Sequence, residues 1–217
     1  MIVFGSIVTL VIFLLVGWAV STEMFQQRMW RQRVAQGDVV MITALLEEAL
    51  AGWRRERQPK EIGPATWAGV NEAQIVAVSA DGVTVSSSAE AEFRTEGTAR
   101  VQVASALDSA IVIAAKLADR LLYDVPNLRL GTVRVDVYTT FTESDGQPVQ
   151  KPILSTTAER GVADGLAWDA LMPAEVLGRF QTNYDRGPTG QAQPITLSPT
   201  EGTPFGDIVR PGAGEAR

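Results

Sequence analysis

Two residue types are missing altogether from this chain of 217 residues, histidine and cysteine. Without them it cannot build a Ser-His-Asp or Cys-His nucleophile, a reactive thiolate, an imidazole metal ligand or a histidine pH switch. The missing cysteines also leave the redox compartment undetermined. No Walker A sequence is present, no dinucleotide-type glycine fingerprint follows a strand, and there is no nucleophile elbow. Nucleotide and acyl-transfer chemistry are therefore not expected. Charge is absent locally: Ile2 to Val20 contains no Asp, Glu, Lys or Arg.

That uncharged run is the strongest single feature of the sequence. At about 1.5 Å per residue it spans roughly 28 Å as a helix, close to the thickness of a bilayer's hydrocarbon core. No basic n-region precedes it, and Gly17-Trp18-Ala19 is a poor cleavage site, so it reads as an anchor (residues 1–21) and not as a removable signal. Trp18 suits the headgroup zone at the end of the span. Arg28, Arg31 and Arg33 follow the run and no basic side chain precedes it, which predicts lipid contact there and a soluble domain on the cytoplasmic side. A domain outside the cytoplasm, as an envelope module, is the alternative.

The net charge of −6 is unevenly spread. Seven of the nineteen bases but only five of the twenty-five acids lie between residues 21 and 60. A basic region beside the membrane followed by an acidic domain makes sequence-independent nucleic-acid binding a poor expectation.

Residues 22–60 are expected to hold juxtamembrane and amphipathic helices. In "DVVMITALLEEALAGWRRER", Asp38 stands as an N-cap, and Val39, Ile42, Leu45, Leu46, Ala49, Leu50 and Trp53 fall in one arc. Ile42, Leu46, Leu50 and Trp53 are the candidates for a partner-binding face, with packing in the chain's own core as the other reading. From Gln74 the apolar period changes to two, predicting a three-stranded meander through Asp81-Gly82 and Glu96-Gly97 turns. Ser105 and Asp108 form a capping-box pair ahead of the clearest helix, whose stripe runs through Leu107, Ala110, Ile111, Ala114, Leu117, Ala118, Leu121 and Leu122, with Arg120 placed away from it. A second hairpin turns at Asp145-Gly146, and Pro148 and Pro152 predict that its return arm is an edge strand. Two short helical pieces divided by Gly165 and Pro173 follow. Residues 185–217 are rich in Gly, Pro, Thr and Gln and read as a disordered tail, with "TPFGDIV" as a possible docking peptide. The class predicted is α+β: a single domain over 61–184 with an antiparallel sheet of about five strands covered by helices on one face.

The catalytic options left are carboxylate pairs, a carboxylate-held divalent metal or a Ser-Lys pair. Glu90 and Glu92 share a strand face, and Asp136 lies mid-strand on the polar face with Arg134; together they are the weak candidates for a nuclease-like hydrolase. Ser109 and Lys116 are seven apart on one helix, a spacing too common to signify a dyad. The reading is therefore of a non-catalytic, single-pass accessory, scaffold or assembly subunit that engages a membrane-protein partner, with no cofactor and no small-molecule ligand predicted.

Overall fold

The computed structural model describes residues 37–168, 170–188 and 190–208. The predicted anchor, with Ile2, Trp18 and Val20, and the bases Arg28, Arg31 and Arg33 lie outside these residues. Among the described residues no helix is long and apolar enough to cross a membrane.

From Val39 onward the chain forms a mixed α+β fold. Its elements are α1 (Val39–Trp53), α2 (Pro64–Asn71), β1 (Gln74–Val78), β2 (Gly82–Ser88), β3 (Glu92–Glu96), β4 (Ala99–Ala104), α3 (Ala106–Tyr123), β5 (Thr132–Thr142), β6 (Pro148–Glu159), α4 (Arg160–Ala163), α5 (Pro173–Leu177), β7 (Gln181–Arg186), β8 (Ala192–Gln193) and β9 (Thr203–Pro204). Seven strands make one sheet in the order β8-β7-β6-β5-β2-β1-β9, while β3 and β4 pair only with each other.

Helix α3 forms where the pattern predicts. Its capping box is complete: the Ser105 hydroxyl accepts from the Asp108 amide at 3.1 Å, and the Ser105 amide donates to Asp108 Oδ2 at 3.2 Å. All eight residues of the predicted stripe are buried. The helix packs on β5 and β6, with α2 and α5 beside it. Val133, Val135 and Val137 of β5 and Leu154 and Ala158 of β6 are buried too, and their alternation with polar neighbours leaves the opposite face of the sheet polar.

Arg120 departs from expectation. It is only 5% exposed, because its guanidinium lies 4.3 Å over the Trp53 ring and pairs with Glu56 at 2.6 Å and Asp124 at 3.6 Å. A planar cation can stack on an indole while its edge donates to carboxylates, so the α1 terminus and the α3 terminus are joined through one side chain. The rest of α1 is absorbed as well. Ile42, Leu46, Leu50 and Trp53 are buried by the chain's own domain, which corrects their reading as a partner face.

The sheet differs from the predicted meander in three ways. First, β2 and β5 run parallel, because the chain between them crosses over through α3 instead of turning back in a hairpin. Second, the strand expected to follow β2 leaves the sheet after the Ala89 amide bonds to the Tyr138 carbonyl, and β3–β4 becomes a separate hairpin. Third, β6 is interior: β7 pairs with it over Leu154–Thr157, and the proline-bearing part before this has no β7 partner. Proline cannot donate to a ladder, so Pro148 and Pro152 sit where no β7 partner exists.

Two turns deserve separate reasons. Gly146 has φ +83°, the conformation the Asp-Gly turn demands. Gly82 is needed for space instead, since a Cβ there would stand 3.0 Å from the Thr132 carbonyl oxygen of the parallel neighbour. Helix α2 went unpredicted because eight residues are too few for a periodic signal; Pro64 starts it and Trp67 and Val70 bury it. The two short helical pieces predicted after β6 are present as α4 and α5.

Two measurements test this account. Leu117→Ala, which empties a fully buried site on α3, is expected to lower stability by about 2–5 kcal/mol in urea unfolding followed by tryptophan fluorescence. Asp108 supplies a pH test. Partial burial pushes its carboxyl up, but the hydrogen bonds from Ser105 and the Arg186 guanidinium at 2.9 Å outweigh this and hold it below the ordinary carboxylate value. A depressed carboxylate stabilises the fold above its unfolded pKa, and that contribution disappears as pH falls through the folded value, so stability is expected to drop below about pH 4. Asp108→Asn should flatten that part of the acid profile, read as the urea midpoint against pH.

Candidate functional site

The helices cover one face of the sheet, and the other face carries the polar half of every alternating strand. Register places Ser86 beside Asp136, Asp136 beside Ser155 and Ser155 beside Asn183 across four consecutive strands. The row before it holds Thr84, Arg134, Thr157 and Gln181 in the same way. The result is a broad surface of hydroxyls and amides with one ion pair at its centre.

That pair is Arg134 and Asp136, separated by 3.0 Å. The Asp136 carboxylate, in a residue only 2% exposed, accepts from Arg134 Nε and from the Ser155 hydroxyl at 2.6 Å. Arg134 uses its remaining edge on the C-terminal segment: Nη1 donates to the Pro199 carbonyl at 3.0 Å and Nη2 to the Ser198 carbonyl at 2.9 Å. Charge-assisted bonds of this length are the strong ones, so this guanidinium, with the Ile195 amide donating to the Pro152 carbonyl at 2.9 Å, holds a segment with little regular structure of its own across the sheet. Beyond it, β9 pairs with the edge strand β1, and Gly202 at φ +101° makes the bend, its α-carbon so close to Val78 that a Cβ would lie 2.8 Å from the Val78 carbonyl oxygen. The composition of this segment foretells its lack of long elements; its attachment to the sheet, through side chains far away in sequence, was not legible there. Residues 209–217 lie outside the described part.

The three carboxylates named from the sequence are not brought together. Asp136 is committed to Arg134 and Ser155, as alternation had placed it with Arg134. Glu92 lies on the separate hairpin with its carboxylate against Gly63, where an added Cβ would overlap it. Glu90 is exposed between β2 and β3. Among the described residues no group of three or more Asp and Glu is placed to hold a metal ion. Nor do Ser109 and Lys116 meet: the Ser109 hydroxyl is buried without a hydrogen-bond partner among the described residues, and Lys116 pairs with Asp119 at 3.0 Å.

Among the described residues, two hollows open on the polar face. One, of about 440 Å³, lies between Asp81, Arg134 and Thr157 and the crossing segment at Ser198 and Glu201. The other, of about 640 Å³, lies where β6, β5, β2 and β1 meet the ends of α1 and α2, and includes Gln74, Ser86, Ser88, Tyr138 and Gln150. Burial and the nearby Asp136 charge both raise the Tyr138 hydroxyl above its ordinary value, so it stays protonated as a donor throughout the physiological range. Compared with known protein families, curated proteins and solved structures, the chain matches none.

The separate β3–β4 hairpin carries a different surface. Phe93, Val101 and Val103 are 44, 41 and 49% exposed, and each strand has one edge unpaired among the described residues. Arg100 stacks over Phe93 at 4.3 Å. From sequence Phe93 reads as the end of the meander's second strand and Val101 and Val103 as its third; no local pattern distinguishes a strand that joins the main sheet from one that leaves it.

Arg134→Ala tests the role of the central guanidinium. Amide exchange measured by mass spectrometry is expected to accelerate in residues 198–204 while α3 keeps its protection.

Proposed function

We propose that this chain is a non-catalytic accessory subunit, held at a membrane by its uncharged N-terminal run, whose α+β domain engages a membrane-protein partner on the cytoplasmic side. The observation that carries the reading is the β3–β4 hairpin. A two-stranded hairpin exposed on both faces is marginal alone, and open β-branched and aromatic side chains beside strand edges that are unpaired among the described residues are the chemistry of strand addition to a partner. Arg94 and Arg100 keep the hairpin soluble and unsuited to indiscriminate pairing. The membrane tether and the sidedness rest on the sequence: nineteen residues without charge, followed by Arg28, Arg31 and Arg33.

The fate of the candidate catalytic groups supports the non-catalytic part of the proposal. A carboxylate bonded to a neighbouring guanidinium and hydroxyl, as Asp136 is, serves as a structural anchor and not as a free base.

The test is a photo-crosslinking amino acid at position 103 of the full chain, expressed in its native host and irradiated in intact membranes. One adduct of defined mass with a membrane protein is expected, and it should vanish in a Val101→Glu background whose thermal unfolding is unchanged. Adducts only with soluble proteins, or a yield untouched by Val101→Glu, would overturn the proposal.

A further inference from the structure

The larger hollow on the polar face has a chemistry of its own. It is lined by one basic and one acidic side chain, and both are already engaged. Arg54 donates through Nε to the Asn71 carbonyl at 3.1 Å and through Nη2 to the Ala73 carbonyl at 3.0 Å. Glu72 accepts from the Ser88 hydroxyl at 2.7 Å. With one cation balancing one anion and each held by the protein, the hollow has no net charge to select an anion or a cation.

What it presents instead is neutral. Gln74 and Gln150 project from β1 and β6 with amides that make no side-chain hydrogen bond among the described residues, and Ser86 stands between them on β2. Tyr138 and Val76 supply the apolar part of the wall. An aromatic ring with a polar tip, flanked by uncommitted amides and hydroxyls in an open groove of about 640 Å³, complements a molecule that has both a C–H face and a rim of hydroxyls. A purely apolar ligand would leave those amides desolvated and unpaired, which is costly.

We infer that the groove formed by Tyr138, Gln74, Gln150 and Ser86 is a binding site for a neutral saccharide. The sugar's C–H face lies on the Tyr138 ring, and its hydroxyls bond to the two glutamine amides and Ser86. The saccharide is either free or the headgroup of a glycolipid. The site is separate from the β3–β4 hairpin and does not depend on the partner proposed there.

The experiment uses the full chain in phosphatidylcholine nanodiscs, avoiding sugar-headed detergents. Free malto-oligosaccharides, lactose and N-acetylglucosamine oligomers are titrated calorimetrically, and nanodiscs with and without a digalactosyl glycerolipid are compared by the change in Tyr138 and Gln side-chain NMR signals. Saturable binding of a free sugar, or signal changes only with the glycolipid, identifies the source. Tyr138→Ala is expected to weaken binding roughly tenfold and Gln150→Ala several-fold, the scale of one lost ring contact or hydrogen bond. Tyr138→Phe, which keeps the ring, should retain most of the affinity. Should Tyr138→Ala unfold, the exposed Gln150→Ala carries the same comparison. Absence of binding in every arm, binding indifferent to both Tyr138→Ala and Gln150→Ala, or preferential binding of an extended peptide would overturn the inference.

Discussion

The fold depends on keeping the stripe of α3 dry. Leu107, Leu117 and Leu121 are fully enclosed, and the helix can be enclosed only if a sheet lies beneath it and other helices lie along its sides. That requirement makes the chain cross over between β2 and β5, since a helix laid on a sheet between two of its strands returns the chain in the same direction. The parallel pair in an otherwise antiparallel sheet is thus a consequence of the helix. Arg120 and Trp53 extend the same constraint outward, tying α1 to the end of α3 by a stacked cation whose edge still reaches Glu56.

With the helices packed on one side, the opposite side of the sheet is left open and polar. It is polar without being charged, because its central ionic groups are consumed internally. Arg134 is shared between Asp136 and two carbonyls of the C-terminal segment, and Arg54 is given to the carbonyls at the end of α2. Charges used this way fix position more than they attract ligands. Among the described residues that face also presents the Gln74 and Gln150 amides, the Ser86 hydroxyl and the Tyr138 phenol. The hairpin of β3 and β4 offers the opposite chemistry, open apolar side chains on a small, locally supported element. One domain therefore carries two surfaces of different character.

How much of this was legible differs from element to element. The Ser105–Asp108 capping box and the stripe after it lie within one turn or a few turns of each other, so α3 could be read completely. Alternation likewise put Asp136 and Arg134 on one polar face. Burial of Ile42, Leu46, Leu50 and Trp53 was one of two open readings, since an apolar arc is identical whether its cover comes from the same chain or another. Arg120 was misplaced because an arginine on a helix flank becomes buried only when an aromatic ring, here Trp53, happens to lie over it. The groove around Tyr138 left no trace in sequence: its residues come from four strands and two helix ends, and each looks like an ordinary position by itself.

By itself the sequence determined the period of the long elements, the turn at Asp145-Gly146, the two polar and apolar faces, the absence of imidazole and thiol chemistry, and an N-terminal run with the length and composition of a membrane span. These are local or compositional properties, set by contacts between residues a few positions apart. Tertiary structure alone decided that β2 meets β5 in parallel, that β3 and β4 leave the sheet, that Asp136 is bonded to Ser155 as well as Arg134, and that Ser198 and Pro199 lie on Arg134. Those outcomes turn on which surfaces end up covering one another across tens of residues, and free energy of that kind is a property of the packed whole.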